Sequence, residues 1–99
     1  MFLVKFEWDE TKDLSDQLEH GVSFGEAQQL FESGRDYLEI FDSDHSVVED
    51  RFVAIGPINR GIAVVAYTER EGHAVRIIGA RRANKREQAL YRSYMEKHQ

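Results

Sequence analysis

Arg76, Arg81, Arg82, Lys85, Arg86 and Arg92 lie within seventeen residues that hold one acidic side chain, Glu87. A guanidinium presents two parallel N–H donors that match two oxygens of a phosphate, so this grouping is suited to a phosphodiester. Tyr91 and Tyr94 lie close by in the sequence and are suited to stacking on bases. A little upstream, Glu69 and Arg70 close a long apolar run and are expected beside the start of the next strand. A carboxylate among arginines can take the proton of a ribose 2′-hydroxyl while the arginines hold the charge of the phosphorane. The same residues also fit a solvated helix face whose arginine stems cover the core, with Glu69 and Arg70 forming a surface ion pair of little energetic weight.

Other constellations are weaker. Asp42, Asp44, His45, Glu49 and Asp50 crowd one acidic stretch, but their spacing matches no calcium loop and His45 lacks a second histidine at helical spacing. Asp42 and Asp44 therefore read as turn residues, and no metal or cofactor is expected. His20, just before Gly21, reads as a cation at a helix C-terminus. There is no glycine-rich phosphate loop, no G-x-S-x-G and no cysteine.

The elements that must position these groups follow from periodicity. "FLVKFEW" alternates as a short strand, with Phe2, Val4 and Phe6 on one side. Residues 9–20 read as a helix with Leu14 and Leu18 four apart and Gly21 placed to end it. "SFGE" is a capping box of Ser23 and Glu26, opening a helix whose apolar face is Phe24, Ala27, Leu30 and Phe31, with Gly34 closing it. "YLEIF" is a strand candidate. "RFVAIGPI" and "GIAVVAYTER" flank a hairpin turn at Asn59-Arg60-Gly61, and "EGH" turns into "AVRIIGA". Asn84 and Glu87 repeat the capping-box pattern ahead of a helix with Leu90, Tyr91, Tyr94 and Met95 as its buried stripe. The expected architecture is α+β, an antiparallel sheet of four or five strands carrying helices from both termini.

Ninety-nine residues, 41% hydrophobic and 31% charged, make one soluble domain spanning 1–99. No apolar run approaches the roughly 18 residues of a membrane span, and "MFLVKFEW" reaches charge too soon for a signal peptide. The absence of cysteine fits a reducing compartment, and the cytoplasm is the expected location. The net charge of −5 divides unevenly: residues 1–50 carry three basic and fourteen acidic side chains, residues 51–99 ten basic and four acidic. One surface that prefers anions and another that suits a basic partner would follow, as would two solvated faces intermixed in the fold.

Taken in order, "FEWDETK", "HGVSFGEAQQLF", "EDRFVAIG", "VVAYTER" and "RIIGARRANKREQALY" resemble a BrnT-type toxin from about Phe6 to Tyr91. The resemblance implies a RelE-like fold, an antiparallel sheet with two N-terminal helices and one C-terminal helix. It implies a ribonuclease that halts translation and a cognate antitoxin with a ribbon-helix-helix part, through which alone the pair reaches DNA. Carried onto this chain, it places catalytic roles on Glu69, Arg76, Arg81 and Tyr91, with Arg51 and Arg70 toward the RNA substrate; Arg82 and Lys85, from the basic cluster itself, would guide the RNA at longer range.

The chain also departs from the pattern. Asp13, Asp16 and Glu19 stand where the family usually carries asparagine and lysine, and Gly25 and Gly79 replace a usual glutamate and serine. The first helix is thereby more acidic. Bordering an RNA path it would repel phosphate, which gives the alternative expectation of a toxin-like binding module acting through a protein partner.

Overall fold

A computed structural model describes residues 4–97, so Phe2 and Leu3 of the expected first strand lie outside the described residues. The elements run β1 (Lys5–Glu7), α1 (Glu10–His20), α2 (Phe24–Glu32), β2 (Leu38–Phe41), a 3-10 turn (Ser43–His45), β3 (Arg51–Ile58), β4 (Gly61–Arg70), β5 (Ala74–Arg82) and α3 (Lys85–Lys97). The strands form one sheet in the order β1-β5-β4-β3-β2. Strands β2 to β5 are antiparallel neighbours, as short turns between sequential strands require.

The expected all-antiparallel sheet needs one correction. β1 pairs with β5 in parallel, Lys5 opposite Ala74 and Glu7 opposite Arg76, so the sheet is mixed. A tight turn fixes the direction of sequence neighbours. β1 joins a strand far along the chain, and nothing local sets its direction.

Local signals produced the elements expected of them. The Ser23 hydroxyl accepts from Glu26 N at 3.0 Å, and the Glu26 carboxylate accepts from Ser23 N at 3.2 Å. The Asn84–Glu87 box is closed in the same way, at 2.8 and 2.9 Å. Each satisfies two helix-end amides that otherwise lack partners. Gly61, at φ +127°, follows the two-residue turn Asn59-Arg60.

Register assigns the side chains to two faces. On the first, Val22, Phe24, Ala27 and Leu30 pack with Ala54, Ala63, Val65, Tyr67, Ile77 and Ala80 into the main core. On the second, Ile55, Val64 and Ala83 form a smaller cluster that Leu38, Val53, Ile62 and Tyr91 flank. α3 covers only part of that face. None of its described residues is fully buried and Leu90 is 49% exposed, so the expected buried stripe is a partly covered one.

α1 reverses the usual helix pattern. Leu14 and Leu18 face outward, 61% and 89% exposed, while Asp13 and Asp16 are buried at 8% and 3%. The Asp13 carboxylate accepts from Phe24 N at 2.9 Å, at the first residue of α2, where the helix dipole favours a negative charge. The Asp16 carboxylate accepts from Ala80 N at 2.9 Å, on the stretch of β5 beyond its pairing with β1. Polar side chains thus face inward on α1 because they satisfy backbone amides of two neighbouring elements.

No helix of the described residues is long and apolar enough to cross a membrane.

Candidate functional site

Among the described residues the sheet contains one irregularity. Ala66 pairs with Gly79, but Tyr67 pairs with Ile77, so Ile78 is an extra residue in β5. In a regular strand Arg76 and Arg81, five apart, would project to opposite faces. The bulge shifts the alternation by one residue and sends both to the second face, Arg76 opposite Thr68 and Arg81 opposite Val64. Arg82, opposite Ala63, goes to the first face.

The same face gathers Arg51, also opposite Thr68, Arg70, opposite Ala74, and Glu7, opposite Arg76. Glu7 lies 3.5 Å from Arg76 and 3.8 Å from Arg70; Glu49 lies 3.7 Å from Arg70 and 3.9 Å from Arg51. Three guanidinium groups share two carboxylates at long, half-exposed distances. Such contacts hold loosely in water and are readily exchanged for a stronger anion. The Arg51 Nε is buried without a hydrogen-bond partner, leaving a donor unspent inside this cluster.

Two concavities lie on this face. The larger, of about 430 Å³, has Val53, Ile55, Val64, Ala66 and Gly79 as its floor; Glu87 and Leu90 of α3 line one side, and Lys12, Asp16 and His20 of α1 another. Arg81 also lines it. A smaller one, of about 260 Å³, is lined by Glu49, Arg51, Arg76, the bulge residues Ile77 and Ile78, Asp9 and Lys12.

Arg81 is held in a fixed plane. Its two terminal nitrogens donate to the two Glu87 oxygens, both at 2.7 Å, while its side chain stays 42% exposed. The Arg81 hydrogen bond holds the Glu87 carboxyl below its ordinary value, and Glu87 in turn raises the Arg81 guanidinium. A bidentate clamp of this kind orients a cation without burying it.

The remaining residues singled out from sequence sit elsewhere. Glu69 pairs with Val75 on the first face, so the expected convergence of Glu69, Arg76 and Arg81 does not form. Its charge is felt there by Glu39 and Tyr37, both raised above their ordinary values mainly because burial disfavours their charged forms. The Tyr91 hydroxyl donates to the Asp36 carbonyl at 3.0 Å, tying α3 to the loop before β2. Arg82 ends β5 exposed, and Lys85 is exposed at the first turn of α3. Arg51, Arg70, Arg76 and Arg81 are brought to one face. Glu69 and Arg82 go to the other face, Lys85 is exposed on α3, and Tyr91 packs against the second-face cluster with its hydroxyl engaged by the Asp36 carbonyl.

Sequence reasoning passed over Lys12 and read His20 only as a cation at a helix C-terminus. Their signal was a four-residue spacing, Lys12, Asp16 and His20 along one stripe of α1, hidden because Leu14 and Leu18 share that spacing on another. Glu7 and Glu49 had no signal, since their place depends on pairing and on a loop. Asp42 keeps its turn role, accepting from His45 N through its carbonyl and meeting the His45 ring at 2.8 Å through its carboxylate.

Comparison with known proteins places the chain in a family. Residues 8–87 match the family model described as "Ribonuclease toxin, BrnT, of type II toxin-antitoxin system". The crystal structure of the Brucella abortus ribonuclease toxin BrnT superposes with a TM-score of 0.65 at 27% identity, covering 84% of this chain and all of that one. No curated protein matches. With most of its length inside the family model and its fold shared with a solved member, this chain belongs to the BrnT family of ribonuclease toxins of type II toxin–antitoxin systems.

Proposed function

We propose that the second face of the sheet is the active surface of an endoribonuclease that cuts single-stranded RNA by acid–base chemistry without a metal, and so stops translation. The observation that carries this reading is the β5 bulge, which turns Arg76 and Arg81 onto the face that already holds Arg51 and Arg70. A phosphodiester laid there meets several fixed cations, and the barrier is lowered where negative charge develops on the phosphorane.

Glu49 takes the role that sequence reasoning gave to Glu69. It lines the smaller cavity beside Arg51 and Arg76 and accepts the proton of the 2′-hydroxyl. The 2′-oxygen attacks phosphorus, Arg51 and Arg76 hold the non-bridging oxygens, Arg81 in the larger cavity meets the neighbouring nucleotide, and the 5′-oxygen leaves. His20, which lines the larger cavity, returns a proton to that oxygen. The products are a 2′,3′-cyclic phosphate and a 5′-hydroxyl end.

We assign the antitoxin, a DNA-binding protein with a ribbon-helix-helix part, to the outer side of α1. Leu14 and Leu18 are exposed there near Glu10 and Glu19, a combination suited to a basic partner with apolar side chains. Binding of the chain to DNA then runs through the antitoxin.

The reading as a binding module without catalysis drew on the acidity of α1. Two of those acids are engaged inside the fold, Asp13 on Phe24 N and Asp16 on Ala80 N, so they do not add free negative surface to the groove. This favours the catalytic reading. Purified protein incubated with single-stranded RNA and a chelator should yield cyclic-phosphate ends. Intact RNA at high protein, beside an active control nuclease, contradicts the proposal.

A further inference from the structure

We infer that Lys12 holds the scissile phosphate, at the junction of the two cavities, and that buried Asp16 positions it; this deepens the proposed ribonuclease reading and rests on it. Lys12 is the residue common to the linings of both concavities. A phosphodiester at its ammonium places one neighbouring nucleotide toward Arg51 and Arg76 and the other toward Arg81 and His20. The ligand class is therefore a single-stranded dinucleotide step bound across Lys12, with its two nucleotides in separate cavities.

The seating of Lys12 distinguishes it from an ordinary surface lysine. One Asp16 oxygen receives the Lys12 ammonium and the other accepts from Ala80 N at 2.9 Å. The Asp16 side chain is 4% exposed, while that of Lys12 is 51% exposed. An ammonium has three donors, so one bound by Asp16 leaves others for phosphate oxygens. An exposed pair at this spacing stabilises a helix by only a few tenths of a kcal/mol, but here the carboxylate is anchored to the neighbouring strand. Gly79 borders the seat: a Cβ there would lie 3.4 Å from the Asp16 carboxylate, at ordinary van der Waals contact.

The test uses the full chain with a single-stranded RNA oligomer and its 2′-O-methyl form, which binds but has no nucleophile to react. Lys12→Ala should slow cleavage about 100-fold, the scale of one lost transition-state donor. It should also weaken binding of the 2′-O-methyl oligomer and reduce the salt slope of binding by about 0.7, the value for one phosphate contact on a single strand. Lys12→Arg should restore most of both. Asp16→Asn can keep its carbonyl oxygen on Ala80 N while turning an amide toward the ammonium. It should lower kcat about 10-fold with little change in thermal unfolding, whereas a purely structural role would move the unfolding and spare kcat.

Lys12→Ala that cleaves and binds like the unaltered protein overturns the assignment. So does Asp16→Asn with unchanged kcat. If the unaltered protein binds but does not cut, the ribonuclease reading fails by itself. The binding arm then decides Lys12: weaker binding of the 2′-O-methyl oligomer by Lys12→Ala supports the phosphate contact, and equal binding refutes it.

Discussion

The two faces of the sheet solve opposite problems. The first is closed: Val22, Phe24, Ala27 and Leu30 are all fully buried against it, and Phe31 sits edge-on to Tyr67 at 4.9 Å. The second is only half covered, with a small cluster under α3 and two concavities beside it. Charge follows the same division. Arg51, Arg70, Arg76 and Arg81 stand on the open face, and the extra residue in β5 is what moves Arg76 and Arg81 to the same side. One face supplies the stability that lets the other leave Arg51, Arg70 and Arg76 loosely paired, since a fully satisfied arginine cluster would have nothing left to offer a phosphate.

Substitutions on the two faces should therefore fail in different ways. The largest effect is expected on the closed face, where Phe24→Ala removes a fully buried ring. It should cost about 3–5 kcal/mol of stability, read from the urea midpoint, while any molecules that remain folded keep their cleavage rate. On the open face Arg76→Ala should reverse that pattern: cleavage falls about 100- to 1,000-fold, and stability changes by less than about 0.5 kcal/mol.

Asp13→Ala sharpens the contrast by testing a charged residue that serves the closed side. It leaves Phe24 N without its acceptor and should cost about 1–3 kcal/mol with little effect on cleavage. The smallest effect concerns pH and the Arg81–Glu87 clamp. The Glu87 carboxyl is held below its ordinary 4.5, so the clamp stabilises the fold above that value and is lost as pH falls through the lower, folded one. Both groups are partly exposed, and solvent screening limits the contribution to about 1 kcal/mol or less. Unfolding measured from neutrality to below pH 4.5 should show this extra acid sensitivity in the unaltered protein and not in Glu87→Gln.

Much of this division was legible in the sequence, and what escaped has physical causes. Both capping boxes, the Asn59-Arg60 hairpin and the inward face of α2 are local, fixed by residues three or four apart, and each formed as its spacing required. The parallel partner of β1 is not local. Nor is the bulge at Ile78, which a strand of unbroken apolar and basic residues does not announce, and it alone decides the face of Arg81 relative to Arg76. The facing of α1 is not local either: leucine at helical spacing ordinarily faces inward, whereas here two amides, Phe24 N and Ala80 N, draw the aspartates inward instead. Glu69 was placed beside the arginines by its nearness in sequence. Register, odd against even, put it on the other side of the sheet.

The central claim is that the open face does the cutting. Its most direct test is the initial rate at which single-stranded RNA is cleaved, in chelator, by the unaltered protein, by Arg76→Ala and by Glu69→Gln. The account predicts cleavage by the unaltered protein, a loss of about 100-fold or more in Arg76→Ala, and a rate within about twofold of unaltered in Glu69→Gln. An inactive Glu69→Gln beside an active Arg76→Ala would contradict it and move the chemistry to the first face.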